Sequence, residues 1–155
     1  MAKSSAFHTP SKSSVPRVIG RVGLGLILLT AGISHLTFAR KEFVAQVPEW
    51  VPVEDDVVVL GSGVAEISLG AALVALPSRR VPVGWLVAAF FVAIFPGNIS
   101  QYVTHTSAFG LKTDRDRFVR LFFQPVLVLW ALWSTGAWRD RREISRYVKR
   151  YLPRR

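Results

Sequence analysis

The stretch GVAEISLGAALVAL, residues 63–76, is apolar almost throughout yet carries an ionisable Glu66. It is one of four long apolar runs into which a chain of 155 residues, half of them hydrophobic, gathers its apolar side chains. Runs gathered in this way point to a membrane protein of one domain rather than to a soluble core. A carboxylate in such a run is costly on insertion, about 2.5–3.5 kcal/mol, so Glu66 is expected to face protein or water and not lipid. Its neighbours at helical spacing agree: Ser62, Gly63 and Gly70 share its face, and small residues let a second helix approach closely.

Working outward, a helix needs about 20 apolar residues to cross the hydrocarbon. Spans are expected at residues 18–39, 57–76, 81–103 and 118–138. Trp50, Trp85 and Trp138 fall near their ends, where amphipathic rings favour the interface. The expected fold class is all-α, a four-helix transmembrane bundle with a C-terminal amphipathic interfacial helix. With the N-terminus inside, fourteen Lys and Arg lie on the inner side and six on the outer. The excess predicts a multi-pass protein of the cell (plasma) membrane with both termini cytoplasmic.

The formal charge of +10 would suggest nucleic acid in a soluble protein. Here the basic residues cluster at the ends of apolar runs, so the charge reads as topology and no nucleic-acid partner is expected. The chain has no cysteine, which excludes disulfides, thiolate metal sites and thiol nucleophiles. Residues 1–17, polar and Ser-rich, are expected to be a disordered cytoplasmic N-terminus. The apolar run after them is too long for a signal peptide and no small-x-small site follows it, so it reads as an uncleaved first helix.

Between the first two spans, RKEFVAQVPEWVPVEDD alternates apolar residues with acids and prolines and is expected to lie along the outer interface as a short lid. The loop GLKTDRDR reads as polar and mobile. In the tail, residues 139–155, Ile144, Tyr147, Val148, Tyr151 and Leu152 form one apolar helical stripe. Arg142, Arg146, Lys149 and Arg150 occupy the remaining circumference, a pattern suited to membrane lipids of an anionic cytoplasmic leaflet. Docking to an acidic protein is the competing reading of that helix.

The other spans carry polar groups at a depth comparable to Glu66. His35 lies near the outer end of the first span, with Ala31 and Gly32 on its face. Asn98 and Gln101, three apart, share one side of the third. Gln124 lies in the fourth, with Arg120 one turn nearer the surface. All six candidate ligand-binding residues fall in the outer half of the bilayer. Gln124 is the expected partner of Glu66. Pro96 and Pro125 free the carbonyls of Val92 and Leu121, which then need a partner at that depth. Three readings stay open: interhelical glue, a small-ligand pocket, and proton or metal chemistry. The last is weakest for metal, since His35 is the sole imidazole within a span and no HExxH-like spacing occurs.

The ordered strings also resemble a family. AGISHLTFARKEFVAQVPEWVP is similar to the first-helix end and loop of the DoxX-like small membrane proteins, with G-x-x-H and a proline-bearing loop. GVAEISLGAAL resembles their second helix, FPGNISQY their third and RLFFQPVLVLWAL their fourth. The resemblance implies a four-helix integral membrane protein associated with redox complexes, with His35, Glu66, Asn98, Arg120 and Gln124 as motif residues. The functional expectation is a non-catalytic accessory subunit binding a lipophilic ligand, a quinone or other lipid, in an outward-leaflet polar pocket. Its partners would be a membrane redox complex or further copies of itself. The alternative is a structural or assembly scaffold without a ligand. No catalytic residue is assigned.

Overall fold

The computed structural model describes residues 12–141, and among these the chain is all-helical with no strand. The expected amphipathic tail, with Arg142, Arg146, Lys149 and Arg150, lies outside the described residues, as do residues 1–11. Five α-helices follow in order: α1 (Val15–Leu36), α2 (Arg40–Val44), α3 (Asp55–Ala75), α4 (Arg80–Val103) and α5 (Asp114–Ser134). A 3₁₀ turn, Pro77–Arg79, joins α3 to α4. Helix α1 begins three residues before the expected span, inside the segment expected to be disordered. Pro16 sits in its first turn, where a fixed φ suits the helix and the missing N–H is not needed.

Among the described residues three helical stretches are long and apolar enough to cross a membrane: α1, α3 and Pro77–Val103. Four were expected, and α5 differs for a visible reason. It starts at Asp114, and Asp114, Arg115, Asp116, Arg117 and Arg120 occupy its first two turns. A capping box holds that start, with the Asp116 N–H donating to Thr113 Oγ1 at 3.2 Å and the Thr113 N–H donating back to Asp116 Oδ2 at 3.4 Å. Arg117 closes the same loop by donating to the Leu111 carbonyl at 2.9 Å. The segment expected to be mobile is thus tied to its helix.

The most extensive interface is the antiparallel crossing of α1 with α3, followed by that of α4 with α5. Two glycine pairs make the first one close. A Cβ on Gly70 would lie 2.7 Å from the Gly25 carbonyl, and one on Gly32 only 2.6 Å from that of Gly63. Packing of this kind substitutes dispersion contacts for the hydrophobic force that lipid does not provide. Around the seam Leu24, Leu28, Leu73, Val83, Val87, Ala88, Phe91 and Ala131 form the buried core. Outward, Leu26, Ile33, Leu86, Val92, Phe122 and Leu129 are exposed, an apolar surface for a hydrocarbon solvent. At the Leu76 end, buried Arg80 donates to Ser13 Oγ at 2.8 Å and to Asp140 at 3.2 Å, closing the bundle with a polar clasp.

Candidate functional site

At the opposite end the helices part around a cavity of about 400 Å³. His35 from α1, Glu66 from α3, Asn98 from α4, and Arg120 and Gln124 from α5 all line it. The sixth candidate, Gln101, does not. It is buried behind the wall and reaches the cavity through Gln46, whose Nε2 donates to Gln101 Oε1 at 2.5 Å.

The glycine seam explains why His35 and Glu66 meet. Each follows its seam glycine, Gly32 or Gly63, by three residues, and the Cβ of His35 is itself among the atoms nearest Gly63. His35 Nδ1 stands 2.9 Å from Glu66 Oε2, with both side chains buried. The same Nδ1 donates to the Ala31 carbonyl at 2.9 Å. A carbonyl only accepts, so Nδ1 carries a proton and that proton points along its own helix. Glu66 Oε2 lies near it but off its axis, and has no hydrogen-bond partner among the described residues. The neighbour of Glu66 is therefore His35, and Gln124 is engaged elsewhere. The reason is the seam, which brings α1 against α3 more closely than α5 comes to either.

Asn98 Nδ2 donates to Gln124 Oε1 at 3.0 Å, and Gln124 Nε2 donates to the Phe91 carbonyl at 2.6 Å. The carbonyl that Pro96 frees is that of Val92, for which the sequence singles out no particular donor. The bond falls one residue earlier because Phe91 is buried toward the bundle while Val92 faces outward. Arg120 Nε reaches Asn98 Oδ1 at 3.4 Å, and its guanidinium stacks 5.1 Å from the centre of the Phe109 ring.

The loop after α1 covers this end. Phe43 of α2 stacks on His35, ring centres 3.3 Å apart and nearly parallel, and Phe109 meets Phe43 edge-on at 4.5 Å. Gln46, Val47, Pro48, Trp50 and Val51 complete the roof. The roof is pinned at both sides. Arg40 makes a bidentate pair with Asp56, which raises the guanidinium above its ordinary value, and the Phe109 N–H donates to Glu42 Oε2 at 2.6 Å. Against α4 it packs tightly, since a Cβ on Gly97 would come within 3.3 Å of the Gln46 carbonyl.

Sequence reading singled out the five polar wall residues but missed Gln46 and Phe109 as parts of the site. An amide in the otherwise apolar stretch FVAQVP, residues 43–48, and an aromatic beside Gly110 in a polar loop were the signals available. Among the described residues no three His, Asp or Glu side chains gather where a metal ion would sit. What the arrangement can do chemically is present an acceptor, Glu66, and a donor fork, Arg120, across an apolar-walled space.

The family model for a domain of unknown function (DUF8561) matches residues 24–135. That range contains α1 from Leu24, the roof, and α3, α4 and α5 with every wall residue named above. No curated protein and no solved structure matches the chain.

Proposed function

The chain belongs to the DUF8561 family, and from its cavity we propose that it is a membrane-embedded binding protein for a lipophilic molecule with a polar head. The observation that carries this reading is the convergence of five polar side chains from four helices on one cavity whose wall is largely apolar, with Ile27, Leu28, Val59, Phe91 and Leu127. Pockets that orient a ligand are built in this way, mostly apolar with a few convergent polar groups. The resemblance of its motif strings to DoxX-like proteins adds an isoprenoid quinone as the first ligand to try and a membrane redox complex as the partner. In this reading the protein is an accessory subunit, and no side chain is assigned a catalytic step.

The reading includes a fourth span. Beyond its charged first turns α5 runs apolar from Leu121 to Ser134 alongside α4, broken in polarity only by Gln124. The cavity then opens toward the outer leaflet of the plasma membrane, and both termini are cytoplasmic. Because the chain has no cysteine, single cysteines at Ser78 and Thr106 test this cleanly. A membrane-impermeant thiol reagent applied to intact cells is expected to label the second and spare the first, and the reverse pattern would refute the orientation.

The ligand test is direct. Protein purified from its own membranes is expected to carry a lipophile visible by mass spectrometry and to bind added isoprenoid quinone in nanodiscs. Preparations that hold neither would defeat the proposal. They would favour a scaffold instead, a reading supported by the self-contained chain from Asn98 through Gln124 to the Phe91 carbonyl.

A further inference from the structure

The cavity itself constrains the head of its occupant. Glu66 Oε2 is buried, with the side chain 6% exposed, and lacks a hydrogen-bond partner among the described residues. Donors that line the same cavity are engaged elsewhere: His35 Nδ1 with its own helix, Ser62 Oγ with the Val59 carbonyl, Asn98 Nδ2 with Gln124, and Gln124 Nε2 with Phe91. A buried acceptor left without a donor is costly, so the site is complete only when something supplies a proton donor there. Arg120 has the complementary need. It bonds through Nε alone, and no bond from its terminal nitrogens occurs among the described residues. The two groups also limit the head: Arg120 opposes a cation, and the unpartnered Glu66 oxygen opposes a head that can only accept. An uncharged head bearing a hydroxyl and a second oxygen satisfies both.

The tail is constrained by a second feature. Along the outward side of α1 runs an apolar groove of about 540 Å³, lined by Leu26, Thr30 and Phe38. Ile27, Ala31 and Phe109 line both this groove and the cavity, so the two spaces share one wall. Phe109 stands at that wall with φ of +55°, a left-handed conformation uncommon for a residue with a side chain. Such backbone persists only where its surroundings hold it, here the bond from its N–H to Glu42 and its contacts with Phe43 and Arg120.

We propose that the occupant is a single-chain amphiphile whose uncharged head donates a hydroxyl proton to Glu66 inside the cavity while its hydrocarbon tail passes Phe109 into the groove on α1. This rests on the cavity being a ligand site and goes further, naming the head chemistry and the route of the tail. Entry is sideways from the bilayer, and the roof over the cavity stays closed.

The full chain in nanodiscs tests it with three probes: para-dodecylphenol, its methyl ether, which cannot donate, and para-cresol, which lacks the tail. The phenol is expected to bind roughly tenfold or more tightly than the ether, the cost of leaving a buried acceptor without a donor. Glu66→Leu should remove that difference. Thr30→Trp, a change on an exposed face that leaves the bundle intact, should fill the groove, weakening the dodecyl phenol and leaving cresol competition unchanged. An ether that binds as well as the phenol, or a Thr30→Trp protein with unaltered affinity for the dodecyl phenol, would overturn the proposal and leave the ligand site standing. Failure of every probe together with quinone would bring down both.

Discussion

Toward the Leu76 end the bundle packs shut, whereas toward the Val103 end α1 and α3 still touch backbone to backbone at Gly32 and Gly63 but the helices together enclose open space. The closed end is held by Gly25 against Gly70, by fully buried Leu24 and Leu73, and by the Arg80 clasp. The open end shares the glycine seam through Gly32 and Gly63, and is otherwise held by polar bonds and by a roof of loop residues. In a bilayer these are different economies of packing. Apolar side chains gain little from leaving lipid, so firmness comes from close contact, and close contact requires small residues. Polar groups gain by meeting one another, yet hold the helices less tightly and leave room between them.

The contrast predicts that stability is concentrated at the closed end. Leu73→Ala should have the largest effect: the side chain is wholly buried, and a cavity there costs about 2–5 kcal/mol. Thermal unfolding in detergent reads this, and a fall no greater than that of an exposed leucine would break the comparison. Gly70→Ala should follow. The added methyl would meet the Gly25 carbonyl at 2.7 Å and the Leu29 nitrogen at 2.9 Å, and overpacking of this kind costs about 1–3 kcal/mol. The smallest effect is expected at the open end. Gln124→Leu removes bonds to Asn98 and to the Phe91 carbonyl, which in membranes contribute on average about 0.6 kcal/mol each and at most about 1.7. Its folding should therefore change little while ligand retention falls. A Gln124→Leu protein as unstable as Leu73→Ala would make the polar wall a structural element first.

The sequence showed both regions, though unequally. Gly32, Gly63 and Gly70 were legible as small residues on the faces of His35 and Glu66, because helical spacing alone puts them there. The helix ends were readable to within a few residues, with Pro16 and the Thr113 box marking starts that hydropathy alone set too late. The fourth span was the weakest reading, since hydropathy averaged over residues 118–138 hides the charged turns that actually open α5. Within the site, depth along each helix predicted which polar groups share a level. It could not predict pairing, and so Gln124 was expected where His35 is found.

What the sequence by itself determined is the set of long helices and the level of their polar residues along the bundle, because both follow from composition and from a rise of about 1.5 Å per residue along one chain. Which of those residues touch was decided by the tertiary structure alone. Pairing depends on how closely two helices approach and at what rotation, and here glycine contact between α1 and α3 brought His35 to Glu66 while the longer reach to α5 left Gln124 for Asn98. The roof belongs to the same class: Phe43, Gln46 and Phe109 are far apart in sequence from most of what they cover, and only the folded chain makes them one wall.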